Sequence, residues 1–355
     1  MRGDRVRLLA GAFVALLLLA FFFRGMDWSA LGRALAEARV LPLVAFVVVS
    51  VVIYVGRAWR WGGLLRPLAK VRFADLFSAT MVGFASGLLI PRAGELLRPW
   101  LVSRRYPIAT SAGFATIILE RIVDTLTVLL LFAAYLFVLP TPAAQHEGPR
   151  FAAWGRSLSA MDMVKAGGAV SFVGVLGVLG LLALLHAYPA AVVGRLERLL
   201  SLAPRWLAGV LGKLVHSFTD GLAVLKAPLP HLAFIGGQSL LVWLLIAVGF
   251  HLNHLAFGID LPFHATFLLI AFLVVGVAIP TPGMVGGFHA AYLVALADVF
   301  GVERERAAAA GIAAHALSNL PVLVLGLALL GRERISLGRV AEVAREGQPP
   351  PEVRP

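Results

Sequence analysis

Cysteine is absent and charge is scarce, with only 14% of the 355 residues being Asp, Glu, Lys or Arg. The first absence excludes a disulfide framework, thiolate-held zinc, iron–sulfur clusters and thiol catalysis. The second, beside 60% hydrophobic residues and a mean hydropathy of +0.89, excludes a water-soluble globule. The sequence also lacks a phosphate-binding loop, a dinucleotide fingerprint and a Gly-x-Ser-x-Gly elbow, so neither ATP-driven transport nor serine hydrolysis is signalled. Acids are few, 19 against 31 Lys and Arg, giving a net charge of +12. The basic residues lie between apolar spans rather than on one soluble face, so they read as membrane-orienting charge and not as a nucleic-acid surface.

What remains is the composition of an all-α, polytopic membrane protein. The 36 Gly and 20 Pro scattered through apolar stretches imply interrupted helices. Bilayers tolerate such interruptions only where protein or a wet cavity satisfies the freed backbone. Leu8 to Phe23 forms a first span, without a small-x-small cleavage site after it. Residues 27–39 suit a short interfacial helix, with Trp28, Leu31 and Leu35 at helical spacing. A second span covers Val40 to Ala58. Arg57, Arg60, Arg66, Lys70 and Arg72 follow, interleaved with Trp59 and Trp61 in the manner of an aromatic belt.

Phe73 to Ile90 stops at Pro91 and Ala93 to Val102 resumes, neither piece being a comfortable span. Thr110 to Leu139 is a long helix, 140–163 a polar loop and Val164 to Leu185 another span. Residues 190–226 form an amphipathic interfacial stretch carrying Arg195, Arg198, Arg205 and Lys213. Leu232 to Phe257 spans again. Ala265 to Ile279 is halted by Pro280-Thr281-Pro282-Gly283, Gly286 to Phe300 resumes, and Ala307 to Leu330 is the last span. Residues 1–335 thus form one membrane domain and 336–355 a basic, Pro-rich cytoplasmic tail, disordered from Gly347. With both termini cytoplasmic, about 20 Lys and Arg fall in inside loops and about 8 in outside loops, the bias expected of an inner-membrane protein.

Pro91-Arg92-Ala93-Gly94 aligns with Pro280-Thr281-Pro282-Gly283, and Glu120-x-x-x-Asp124 aligns with His315-x-x-x-Asn319 if the second copy holds about six extra residues. Each half then reads span, amphipathic stretch, span, broken hairpin, span. The expected architecture is an inverted-topology repeat, 6–140 and 164–331, whose re-entrant-type hairpins meet near the midplane around a substrate.

Ionisable groups inside a bilayer need a reason. Arg92, Glu95 and Arg98 surround the first break. Glu95 and Arg98 are spaced to pair, which leaves Arg92 for an anion such as phosphate at the helix start beyond Gly94. Interfacial anchoring is the plainer alternative. Glu120, Arg121 and Asp124 interrupt an apolar helix and read either as an ion-pair network between helices or as a lining of the substrate path. His289, His315 and Asn319 stand in the second half and read as interhelical hydrogen bonds or as a pH-sensitive gate. His251, His254 and His264 lack a His-Glu-x-x-His pattern, so no metal or other cofactor is expected.

The stretch Gly83-Phe84-Ala85-Ser86-Gly87-Leu88-Leu89-Ile90-Pro91-Arg92-Ala93-Gly94-Glu95-Leu96-Leu97-Arg98, then Ser111-Ala112 and Leu119-Glu120-Arg121-Ile122-Val123-Asp124, resembles the lysylphosphatidylglycerol synthase transmembrane family, a flippase-like domain. Pro280-Thr281-Pro282-Gly283-Met284-Val285-Gly286-Gly287-Phe288-His289 is similar to the family's Pro-Gly-Gly-x-Gly-x-x-Glu segment, with His289 in place of the acid. The resemblance covers about residues 5 to 335, and beyond the last span there is little room for a soluble aminoacyl-transfer domain. It therefore implies a non-enzymatic role in moving an anionic phospholipid or polyprenyl-phosphate lipid between leaflets. On that expectation Arg92, Arg98 and Arg121 receive the headgroup, Glu120 and Asp124 balance the charge, and Pro91, Gly94, Pro280, Pro282 and Gly283 form two gates. The rival expectation is a non-transporting partner of a lipid- or glycan-modifying membrane enzyme. A homo-oligomer is compatible with either.

Overall fold

The computed structural model describes residues 2–90, 93–139, 150–153, 156–159, short pieces between 166 and 184, 227–279, 281–333 and 335–346. The amphipathic stretch 190–226, the tail beyond Glu346 and the residues Pro91, Arg92 and Pro280 lie outside that set. The described chain is helical apart from a two-stranded hairpin, Arg150–Ala153 with Arg156–Ser159, inside the segment expected to be a loop.

Helix α1 (Arg2–Phe23) turns through 88° into α2 (Trp28–Ala36). Asp27 caps α2 by accepting the backbone N–H groups of Ser29 and Ala30. The Ser29 hydroxyl, with those two N–H groups, holds the Asp27 carboxyl below its usual pKa. Helix α3 (Val40–Leu65) runs well past Ala58, where the sequence pattern ended the span. Then come α4 (Phe73–Leu89), α5 (Ala93–Ser103) and α6 (Thr110–Phe137). The second half repeats the order with α7 (Leu229–Ala256), α8 (Ala265–Ala278), α9 (Gly287–Leu293, extended by a π-helical turn at Val294–Val299) and α10 (Arg304–Arg332). A short α11 (Leu337–Glu346) packs against α5.

The chain is a multi-pass membrane protein: α3, α7 and α10 are long and apolar enough to cross a bilayer, and α1 with α2 makes a fourth, bent candidate. Helix α6 is as long, but every 18-residue stretch of it contains Glu120, Arg121 and Asp124.

Helices α3 and α7 form the central pair, brought close by Gly56 facing Val242 and Gly249 facing Phe46. Small residues are the usual means of close approach in membranes, where apolar burial alone does not drive helices together. The hairpins α4–α5 and α8–α9 flank this pair. Each packs its first arm on the long helix of the opposite half, α4 on α10 and α8 on α6. Gly326 is the contact point of α10 with α4; a Cβ there would strike Ala85 and the Met81 carbonyl.

The two ends of the bundle are separately tied. At one end Arg39 N–H donates to the Ala256 carbonyl (2.8 Å), Asp27 N–H to Glu305 (3.3 Å) and Arg304 to the Phe21 carbonyl (3.4 Å). At the other, Arg105 bridges Asp75 and Glu333, Ser78 donates to Glu333 (2.9 Å), Tyr106 donates to Asp75 (2.7 Å) and His231 donates to the Gly63 carbonyl (3.1 Å).

Candidate functional site

Both hairpin breaks follow from proline. Ile90, before Pro91, is extended (φ −130°, ψ 109°), as are Ile279 before Pro280 (φ −71°, ψ 117°) and Thr281 before Pro282 (φ −105°, ψ 147°). A proline ring disfavours the helical conformation in the residue ahead of it and brings no N–H of its own, which ends the helix here, although Pro99 and Pro321 are accommodated inside α5 and α10. In the second break Gly283, Met284 and Gly286 all take positive φ, which turns the chain back towards α9.

Within each hairpin the arms touch through a glycine pair. A Cβ on Gly94 would collide with the Gly83 carbonyl, and one on Gly287 with the Gly276 carbonyl. Eleven residues separate the partners in both hairpins, as their numbers show. Matching these two glycine pairs to each other is a second way to lay the halves together, four residues from the register that matches Pro91 with Pro280.

The tips of the two hairpins open on one cleft of about 540 Å³. Gly83, Phe84, Gly87, Leu88, Gly94, Glu95, Arg98 and Arg121 line it from the first half. Val277, Ala278, Ile279, Thr281, Met284 and Asn319 line it from the second, with Tyr54 of α3 at the side. Of the residues singled out by sequence, Glu95, Arg98, Arg121 and Asn319 therefore share the cleft, as do Gly94 of the first break and residues next to Gly283 of the second.

Glu120 and Asp124 face away from the cleft into the core. Their partner is Arg60, fully buried on the extended end of α3. It contacts Asp124 at 2.5 and 3.1 Å, Glu120 at 3.1 Å and Ser239 at 2.6 Å. Trp243 Nε1 donates to Asp124 (2.8 Å). Arg98, 2% exposed, binds Glu120 through both terminal nitrogens (3.0 and 3.3 Å) and lies over the Trp61 ring at 4.5 Å. This corrects two sequence readings. Arg98 pairs with Glu120 and not with Glu95, which forms no ion pair among the described residues. Arg60 and Trp61 are buried core residues and not a belt at the water boundary. Helix α3 remains helical through Leu65 because α4, α6 and α7 surround that end.

Arg57 lies over Phe84 (5.2 Å) and Trp243 (5.9 Å) and forms no ion pair among the described residues. Arg121 is half-exposed, 4.0 Å from Asp124 at its nearest approach. Three guanidinium groups, Arg60, Arg98 and Arg121, thus reach the two carboxylates of Glu120 and Asp124, and Arg57 stands nearby as a fourth. Counting Glu95 as well leaves one positive charge over. An uncompensated charge beside apolar protein is costly, and an anionic guest would offset it.

In the second half, His289 of α9 and His315 of α10 stand together, ring centroids 4.7 Å apart. His315 Nε2 donates to the Gly283 carbonyl (2.9 Å), and Asn319 Nδ2 donates back to the His315 carbonyl (2.9 Å). No cluster of three or more His, Asp or Glu with metal-binding geometry occurs among the described residues.

A family model described as the lysylphosphatidylglycerol synthase TM region matches residues 8–326. Among curated proteins, the glycosyltransferase AglD of Haloferax volcanii is 27% identical over 361 residues, covering 96% of this chain and 57% of its own length. The chain therefore spans little more than half of that relative. No solved structure matches.

Proposed function

The chain belongs to the lysylphosphatidylglycerol synthase TM family, and from that premise we propose that it moves an anionic phospholipid or polyprenyl-phosphate lipid between the leaflets of the inner membrane. The observation that carries this reading is the cleft between the hairpin tips with its unbalanced positive charge. The headgroup enters the cleft and meets Arg121. Forked N–H groups suit a phosphate. Arg98 and Arg60 are positioning residues, holding Glu120 and Asp124 so that the cleft stays cationic. The tails remain in hydrocarbon while the head crosses.

The same reading treats 6–140 and 164–331 as inverted repeats. Support comes from the repeated element order, the two Gly pairs at equal spacing and the reciprocal packing of each hairpin on the other half. Alternating access would then be an exchange between two related packings, one hairpin opening as the other closes.

The test is transfer of a fluorescent phosphatidylglycerol across liposomes containing purified protein. Transfer by the parent and its loss in Arg121→Gln support the proposal. Transfer equal to that of empty liposomes would overturn it.

A second reading has one observation of its own, the likeness to a protein named a glycosyltransferase. On that reading the chain is a membrane partner of a lipid- or glycan-modifying enzyme. A stable co-purifying enzyme together with absent lipid transfer would favour it.

A further inference from the structure

The His289–His315 pair has no part in the headgroup contacts described above, yet its geometry is specific. A carbonyl oxygen only accepts, so the bond from His315 to Gly283 puts the hydrogen on Nε2 and leaves Nδ1 with a lone pair. His289 is 7% exposed, and its Nδ1 is buried without a hydrogen-bond partner. Two adjacent imidazoles, His289 buried and His315 half-buried, therefore each keep a ring nitrogen able to take a proton, within the turn that closes the second break.

The surroundings supply no compensating carboxylate. Helix α1 presents Phe22, its ring 5.4 Å from His289, and its residues Gly11–Phe23 carry no charge. Helix α8 contains no titratable residue. Helix α9 adds Tyr292, whose hydroxyl accepts from Asn253 of α7 (2.9 Å), and, nine residues beyond His289 in its π-helical extension, Asp298, about 13 Å along the axis; α7 also brings His254 near Tyr292. On α10 the neighbour is Asn319, and the nearest charged residue of that helix, Arg306, lies about 13 Å away along the axis at 1.5 Å per residue. Helix α4 meets this turn with no charged group but Asp75 at its far end, and α3 contributes Tyr54 and Arg57 on the cleft side. Helix α2, packed on the start of α10, has Arg33 and its cap Asp27 at the end of the bundle.

A proton arriving on this pair is thus an unpaired buried charge while the cleft is empty. His315 is bonded to the carbonyl of Gly283, which stands between the cleft-lining Thr281 and Met284, and the cleft-lining Asn319 is bonded to His315, so a negative headgroup in the cleft would lie one residue beyond the protonated rings and offset their charge. We infer that His289 and His315 form a proton-binding site linked to anion binding in the cleft, so that one proton is taken up as the anionic headgroup enters and released as it leaves. This rests on the cleft being the headgroup site. Linkage is reciprocal: the factor by which the anion favours the proton is the factor by which the proton favours the anion. A proton gradient across the membrane would then bias the direction of transfer, with no nucleotide needed.

The experiment measures binding of fluorescent phosphatidylglycerol to the purified full chain in detergent from about pH 8 to about pH 6, where imidazoles titrate. Affinity should rise as pH falls, by about threefold to tenfold per pH unit, tenfold being the ceiling for one linked proton. Fluorescent phosphatidylcholine, without net charge, should show no such slope. The double substitution His289→Gln with His315→Gln should flatten the phosphatidylglycerol slope. Glutamine at 315 keeps a donor for the Gly283 carbonyl, and an unchanged melting temperature verifies the fold. A flat profile in the parent, or a slope kept by the double variant or shared by phosphatidylcholine, would overturn the inference while leaving the headgroup site standing. Failure of phosphatidylglycerol to bind at any pH would remove both.

Discussion

Arg60 decides more at the residue scale than any group the sequence made conspicuous. Its guanidinium is shared by Glu120, Asp124 and Ser239 with no exposure to solvent. Arg60→Met should destabilise the protein by about 3 to 5 kcal/mol, because it takes from buried Asp124 its close guanidinium partner and from Glu120 one of its two. Adding Asp124→Leu should recover part of that loss, read as the detergent melting temperature of single and double variants. Arg121→Gln should leave melting nearly unchanged, since that side chain is 44% exposed, while abolishing lipid transfer. Glu120, Arg121 and Asp124 were legible because acids and bases inside an apolar run are too costly to stand there without a partner or a task. Arg60 was not, because Arg and Trp at the end of an apolar run look the same whether they face water or core. Only the continuation of the helix to Leu65, and the carboxylates waiting on α6, tell the two apart.

At the element scale the hairpins depend on their glycine contacts. Gly276→Val should cost about 1 to 3 kcal/mol or more, because its Cβ would meet the Gly287 carbonyl and Ala291, and backbone cannot rotate away as a side chain can. Gly236→Val, a control on α7 with open space around it, should change stability only by the small helix-propensity difference, which favours Val over Gly. Melting curves of the two variants make the comparison, and equal stability would show that the arms do not touch as described. The breaks themselves were legible, since Pro91, Pro280 and Pro282 disfavour helix at the residues before them. The glycine pairs were not. In a chain with 36 glycines nothing marks these four until the arms are laid side by side.

For the whole molecule, the two sets of tying bonds sort the loops into two ends. Ser29→Cys and Ser157→Cys should react with an impermeant thiol reagent applied outside intact cells, and Ser103→Cys should be shielded until the membrane is opened. The absence of native cysteine makes the readout clean. Labelling of Ser29→Cys and Ser103→Cys from the same side would contradict the fold, because α2 and the end of α5 sit at opposite ends of the bundle. Loop parity made this separation of ends legible, and the labelling reads which end is the cytoplasmic one expected from Lys and Arg. Which long helix each hairpin leans on was beyond the sequence, since apolar helix faces are nearly interchangeable until small residues such as Gly326 select a neighbour.

That each hairpin rests on the opposite half bears on how the protein is made. Helix α4 leaves the ribosome early, but its resting place on α10 is among the last helices synthesised. Through most of translation the first hairpin therefore stands without its final neighbour, although Arg98 and Glu120 already demand shelter from lipid. The nascent chain must be held by the insertion machinery until its last long helix arrives. A chain halted before residue 304 should be cleared by membrane proteases, and supplying 304–332 as a separate segment should rescue it.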